Sequence, residues 1–377
     1  MLRRLALCCV AGLAPSPAAD PPFVVYTSHP PGVYEPVLAS FRASNPKVAV
    51  EAIEIPGATA LERLRGEKRD PRASVWWGGD EVSLAVAARE GLLAPSRPAW
   101  SHGAPASTDD PQDLWHGQFL VPIALVTRRG AADRPRLLED LSDSRYRGRL
   151  LLRRVTDSTA MRLFLGAMIQ AHLSTGGLDR ALDWCAMLDG NLGAPYEADG
   201  RRLLARVAAA SEGEPDVTVW TAPEAARLRD EQTLPIEIEV LPGSPAWLEG
   251  VAKVANAPSS AAADRFIELV GRDEWLAGYV AQGRLPVPEG RADAATLPTW
   301  MADGFAYTRG VARDELADSL PVWMEALEAR IRGVRAPTDA GDRVGLVALD
   351  VVDVAGTVTL VAVLVVLLRR RRATQAA

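Results

Sequence analysis

The stretch Phe23–Pro95 constrains the chain most, because strand and helix signals alternate along it. An apolar run, Phe23–Tyr26, leads into a polar, proline-rich loop from Thr27 to Gly32. Val33, Val37, Leu38 and Phe41 then recur at helical spacing. Val48–Ile55 reads as a second strand and Ala58–Arg69 as a helix. Ser74–Trp77 is a third strand ending in Gly78-Gly79-Asp80, and Val82–Glu90 is a helix stopped at Gly91. This alternation predicts an α/β fold with a parallel, doubly wound sheet. Such sheets bind ligands beyond the carboxyl ends of their strands, where the loops begin at Thr27, Gly57 and Gly78. Thr27, Ser28, His29, Gly57, Gly78, Gly79 and Asp80 are therefore candidate ligand contacts. His29 as a surface or capping residue, and Asp80 as a helix N-cap, are the plain alternatives.

At 377 residues the chain has room for two domains or one bilobed body. The formal charge of −6 understates how acidic that body is, because both chain ends are basic. An acidic body argues against nucleic acid, which needs a basic footprint. Residues 1–19 start with Arg3 and Arg4, continue with an apolar stretch from Leu5 to Ala14, and have small residues around a cut after Ala18. That is the layout of a secretory signal peptide, with an uncleaved anchor as the alternative. Its removal takes Cys8 and Cys9 and leaves Cys185 alone, so no intrachain disulfide or thiolate cluster can form. Residues 336–343 read as a linker and 344–368 as a transmembrane helix, followed by a basic tail, 369–377. The uncharged core of that span, Val354–Leu368, is about 22 Å long as a helix, against about 30 Å of hydrocarbon. Asp353 is then expected at the outer interface, with Arg369 to Arg372 on the cytoplasmic side.

Along the body, Phe119–Thr127 and Leu150–Val155 read as strands. Asp157-Ser158-Thr159-Ala160 is a good N-cap for a helix running to about Leu173. Helices follow at Leu178–Leu188 and Arg201–Ala210, and Val217–Trp220 is a short strand leading into Thr221-Ala222-Pro223. Ile236–Val240 and Val251–Ala255 are further strands, after which helices dominate to about Arg332.

Four segments together resemble bacterial extracellular solute-binding proteins of ABC transporters, the group that includes ferric-ion-binding proteins. They are VVYTSHPPGVYEPVLASFRASNP, SVWWGGDEVSLAVAAREGLLAP, LEDLSDSRYRGRLLLRRVTDSTA and PAWLEGVAKVANAPSSAAADRFIELV. The resemblance spans roughly residues 22–330 and implies a two-lobed type II periplasmic-binding-protein-like fold with doubly wound sheets. It places a solute-binding domain at 20–335, with lobe 1 at about 20–122 and 251–335 and lobe 2 at about 123–250. It further implies hinged closure on a ligand, delivery to an ABC permease in the membrane and a monomeric receptor. With the two chain ends, it predicts an extracytoplasmic protein anchored in the inner membrane.

By the same resemblance, Ser158, Thr159 and Ala160 match an anion-contacting helix start, though Ser158 equally suits a plain cap. Trp220, Thr221 and Gly250 complete the candidate contacts. The ligand implied is a small solute, anionic in kind: phosphonate, phosphorylated or carboxylated molecules, with a polyamine left open. Ferric-binding members use a His, an acid and two adjacent tyrosines, and this chain reads VTVWTAPEA where that pair belongs. Hard Fe³⁺ prefers such oxygen ligands, so a ferric ion is a secondary expectation, and no cofactor is expected. An enzyme is not expected, since G-x-S-x-G, H-E-x-x-H, C-x-x-C and glycine-rich nucleotide loops are missing. The competing reading is a membrane-tethered ligand sensor using the same fold.

Overall fold

The computed structural model describes residues 22–101, 109–287 and 297–334. The segments read as signal peptide, linker, transmembrane helix and basic tail lie outside the described residues. No described helix is long and apolar enough to cross a membrane.

The first elements are β1 (Phe23–Thr27), α1 (Pro31–Ser44), β2 (Val50–Glu54), α2 (Gly57–Gly66), β3 (Val75–Asp80), α3 (Glu81–Arg89), β4 (Leu93–Ala94) and β5 (His116–Arg128). Next come α4 (Thr159–Gly190), α5 (Gly200–Ala209), β6 (Val217–Thr221), α6 (Ala222–Gln232), β7 (Ile236–Glu239) and β8 (Pro245–Val254). The last are α7 (Ser260–Val270), α8 (Leu276–Ala281), β9 (Leu285–Pro286), α9 (Thr299–Tyr307), β10 (Arg309–Gly310) and α10 (Arg313–Val334). They group into two compact units. The first holds the described residues up to 124 with 221–227 and 239–318, and the second holds 125–220, 228–238 and those from 319.

In the first unit β1 pairs in parallel with β2 and with β3, as the alternating pattern predicts. Every residue of β1 is buried, because helices cover both faces of the sheet. Phe23 and Val25 pack with Val37, Phe41, Trp77 and Phe266 on one side. Val24 and Tyr26 pack with Leu64, Trp76 and Leu84 on the other. The neighbouring tryptophans thus fill opposite cores, and Trp77 Nε1 donates to Gln118 Oε1 at 2.7 Å.

β8 corrects the expectation of a wholly parallel sheet, since it runs antiparallel to β3, β4 and β5. The chain enters β8 only after building the second unit, so no helical crossover from a neighbouring strand fixes its direction. β8 is also longer than Val251–Ala255, because Glu249-Gly250 interrupts the apolar pattern and hides its first half. Its ladders carry two irregularities, one between Trp77 and Gly79 and one between Gly117 and Phe119.

In the second unit β6 and β7 both pair with β5. Leu150–Val155, expected as a strand, instead makes isolated bridges, Leu150 to Leu192 and Val217 and Arg153 to Glu197. Its partners come from separate segments one residue at a time, so no ladder propagates. The two helices expected up to about Leu173 and from Leu178 form one run, broken at Gly177, whose φ is 72°. Phe164, Met168, Trp184, Leu203 and Val219 are buried around them. Burial pushes the Cys185 thiol up to about 12, which leaves it a core residue without nucleophilic character.

Gly78 occupies the first irregularity with φ 92°, and a methyl there would stand 2.5 Å from Ser28 Oγ and 3.0 Å from His29 Nε2. Gly78→Ala is expected to lower stability by about 2 kcal/mol through strain at positive φ and the clash. Urea unfolding of the two chains checks this, and an unchanged midpoint would show that the loop relaxes freely.

Candidate functional site

The loops after β1 and β3 meet in the first unit. Thr27 is fully buried, and its Oγ1 accepts the His29 backbone N–H at 3.1 Å. Ser28 Oγ donates to the Gly78 carbonyl at 2.6 Å, and the Ser28 N–H donates to the Trp77 carbonyl at 3.3 Å. A methyl on Gly57, the first residue of α2, would lie 3.5 Å from Asp80 Oδ2, so the start of α2 also reaches this end. Asp80 caps α3, its Oδ1 accepting the Ser83 N–H at 2.8 Å. Gly79 and Gly250 are partners across β3 and β8, and Gly250 is also the partner of Gly117 on β5. Added methyls would fall 2.8 Å from Trp76 Cε2 and 2.5 Å from the His116 carbonyl, so both glycines serve close strand packing.

His29 is fully buried, with its ring edge-on to Trp77 and Phe119 and Nδ1 3.7 Å from Glu249 Oε2. It is neither a surface nor a capping residue. Burial, and then the Arg284 guanidinium, hold its pKa well below the usual histidine value, so the ring is neutral. Neither ring nitrogen has a hydrogen-bond partner. Beside it Arg284 Nη1 donates to Glu249 Oε2 at 3.1 Å. Burial raises the Glu249 pKa, Arg284 pulls it down, and Asp80 and Glu224 push it up again.

Glu249 and Arg284 are thus members of this cluster that sequence patterning missed. Glu249 sits in a strand whose first half was unread, and Arg284 follows a helix turn with no motif around it. Glu81 was missed too. It is 6% exposed in the first turn of α3, and its Oε1 accepts the Leu248 N–H at 2.9 Å. Burial raises its carboxyl to about 7, against the opposing Leu248 hydrogen bond and the Arg313 charge, while Asp80 and Asp314 add to the rise.

The second unit carries a separate set. Ser158 caps α4, its Oγ accepting the Met161 N–H at 3.1 Å. Thr159 and Ala160 follow as the first helical residues, and Thr159 Oγ1 is buried without a hydrogen-bond partner. Trp220, near the end of β6, is covered by the Arg153 guanidinium, 5.1 Å from its ring centroid. Thr221 is the next residue and belongs to the first unit. Among the described residues no group of three or more His, Cys, Asp or Glu is placed to hold a metal ion.

The fold and these loop ends define a type II periplasmic binding protein architecture. The apo ferric ion-binding protein A of Pasteurella haemolytica matches with a TM-score of 0.69 at 18% identity, over 82% of this chain and 98% of that one. The periplasmic binding protein AfuA of Actinobacillus pleuropneumoniae, with fructose-6-phosphate bound, matches with a TM-score of 0.64 at 20% identity, over 81% of this chain and 98% of that one. In sequence the chain is 25% identical over 291 residues to a probable ABC transporter periplasmic-binding protein of Sinorhizobium fredii, covering 75% of this chain and 79% of the relative. No family model matches the chain. The resemblance read from the four segments therefore holds in sequence and in fold.

Glu81 titrates near 7 in the folded chain and near 4.5 when unfolded, so the native state holds more protons between those values. Its contribution to stability is fully present below 4.5 and is lost as the pH rises through about 7. Glu81→Gln keeps the acceptor for Leu248 N–H and removes the titration. We expect the variant to match the parent near pH 4.5 and to exceed it above pH 8 by on the order of 3 kcal/mol. Denaturant titrations at the two pH values measure this, and parallel profiles would refute it.

Proposed function

We propose that the chain is the extracytoplasmic solute-binding component of an ABC transporter, taking a small, acidic solute. The observation that carries this reading is the likeness in sequence to a probable ABC transporter periplasmic-binding protein, over three quarters of the chain. The polar loop ends support it. Thr27, Ser28, Gly57, Gly78 and Asp80 gather at one end of the first unit's sheet, joined by His29, Glu249 and Arg284. In the second unit the contacts would be Ser158, Thr159, Ala160 and Trp220, with Thr221 following. Gly79 and Gly250 act through strand packing. The role is binding, with an ABC permease as partner and no chemical step assigned to the chain.

Iron is the less favoured cargo. Tyr26 donates to Glu67 at 2.8 Å and Tyr279 to the Val270 carbonyl at 2.8 Å, so two of the tyrosines are already engaged inside the first unit. A thermal-shift screen with phosphonates, phosphate esters, polyamines and ferric citrate tests the reading, since a ligand of the native state raises the melting temperature. We expect an acidic solute to raise it. No response to any class, with tryptophan fluorescence also unchanged, would reject the binding role.

The membrane anchor at 344–368 belongs to the same proposal. The full chain is expected to sediment with membranes, and a chain without residues 344–377 to be released. Recovery of the full chain as freely soluble protein would rule the anchor out.

A further inference from the structure

The loop end of the first unit offers acceptors, and its donors are already engaged. Asp80 and Glu249 are partners across β3 and β8, so two carboxylates face each other in the ladder. Like charges directly opposite destabilise a strand pair. Arg284 Nη1 donates to Glu249 Oε2 at 3.1 Å, which answers part of that repulsion. Burial raises the Glu249 carboxyl, Arg284 lowers it, and Asp80 and Glu224 raise it further. Glu224 has its own cation, taking a hydrogen bond from Arg227 at 2.6 Å. The place around Glu249 therefore still favours an incoming positive charge, and its side chain, 16% exposed, keeps an edge open to solvent.

His29 is a second, independent pointer to the same place. It is fully buried, and neither ring nitrogen has a hydrogen-bond partner. Its Nδ1 faces Glu249 Oε2 across 3.7 Å, too far for a direct hydrogen bond. The ring is neutral, so one of its nitrogens is an acceptor, and leaving such an atom buried and unpaired is costly. The neighbouring donors are spent elsewhere, Ser28 Oγ on the Gly78 carbonyl and Arg284 Nη1 on Glu249. A group filling the gap must give hydrogens to an imidazole nitrogen and to a carboxylate oxygen at once. A protonated primary amine does so, with three N–H bonds and a positive charge on one small atom. A nitrogen about 2.9 Å from each of two acceptors spans their separation with ordinary hydrogen bonds. A water would fill the gap but bring no charge to the opposed carboxylates.

We propose that Glu249, His29 and Asp80 form an ammonium subsite, so that the captured solute carries a protonated primary amine as well as its acidic group. This rests on the reading of the chain as a receptor for a small acidic solute and adds the second functional group by which it would select one. Isothermal titration of the full chain compares acids with and without the amine: 2-aminoethylphosphonate against ethylphosphonate, and glutamate against glutarate, with putrescine as an amine lacking the acid. We expect at least one amine-bearing acid to bind about tenfold or more tightly than its amine-free counterpart. Glu249→Gln, which keeps an acceptor for Arg284, is expected to bring that ratio within about twofold of unity. A variant that merely loosened the fold would weaken both acids and leave their ratio unchanged. Melting curves without ligand show whether the variant folds, and Asp80→Asn, which retains the cap of α3, takes its place if it does not. Equal binding with and without the amine, or a ratio that persists in the folded variant, overturns the subsite while the receptor role stands. Binding of putrescine alone supports the subsite and rejects the acidic half of the solute. No binding of any amine-bearing probe overturns the subsite, and the thermal-shift screen then decides the broader role.

Discussion

The arrangement of the first unit depends on one crowded place, where Gly79 of β3, Gly250 of β8 and Gly117 of β5 lie side by side. A side chain at Gly250 would clash, because a methyl there would stand 2.5 Å from the His116 carbonyl oxygen. The ladders slip on either side, at Gly78 and at Gln118, and such irregularities re-aim the residues next to them. Here they set Asp80 opposite Glu249 and turn Gly78 under His29. Opposed like charges destabilise a sheet pair, and this one is relieved in two ways. Arg284 bonds Glu249, and burial raises the Glu249 pKa so that its charged form is disfavoured.

The two units therefore differ in chemistry. The first offers a neutral histidine, carboxylates that burial disfavours in their charged form, and one guanidinium already bonded to one of them. The second has the helix start at Ser158, a buried indole N–H at Trp220 and the Arg153 guanidinium stacked on that indole. Tight, selective binding of an oxyanion does not need net positive charge on the whole protein. Oriented donors in a desolvated place suffice, which is how an acidic chain would remain compatible with the acidic solute proposed for it.

Much of the fold was legible because local period and global burial agree from Phe23 to Gly91. The run Phe23–Tyr26 is apolar at every position because β1 is covered on both faces, and Val33, Val37, Leu38 and Phe41 are the buried face of α1. Legibility failed where a residue answers to a neighbour distant in sequence. Glu249-Gly250 breaks the apolar pattern of β8, yet both residues are dictated by β3 and β5. Arg153 sits in a segment that looks like a strand but is held by single bridges, and its partner Trp220 lies far along the chain. The loop residues Thr27 to His29 could be located from the end of β1. That His29 is wholly enclosed depends on Trp77 and Phe119, which no local pattern reveals.

The enclosure of His29 bears on how a ligand would be read. A histidine used as a metal ligand presents a lone pair to the metal, whereas this ring lies against two aromatic rings and is fully buried. Protonation would place a charge against the Arg284 guanidinium in a desolvated setting, the two effects that lower its pKa. Its place in the structure is beside Glu249, which in turn accepts a hydrogen bond from the buried Arg284. In that arrangement Arg284 and the Ser28 hydroxyl already donate within the cluster, to Glu249 and to the Gly78 carbonyl, and Thr27 is fully buried. His29 thus acts through packing against Trp77 and Phe119 and through its place beside Glu249, which ties the loop after β1 to β8.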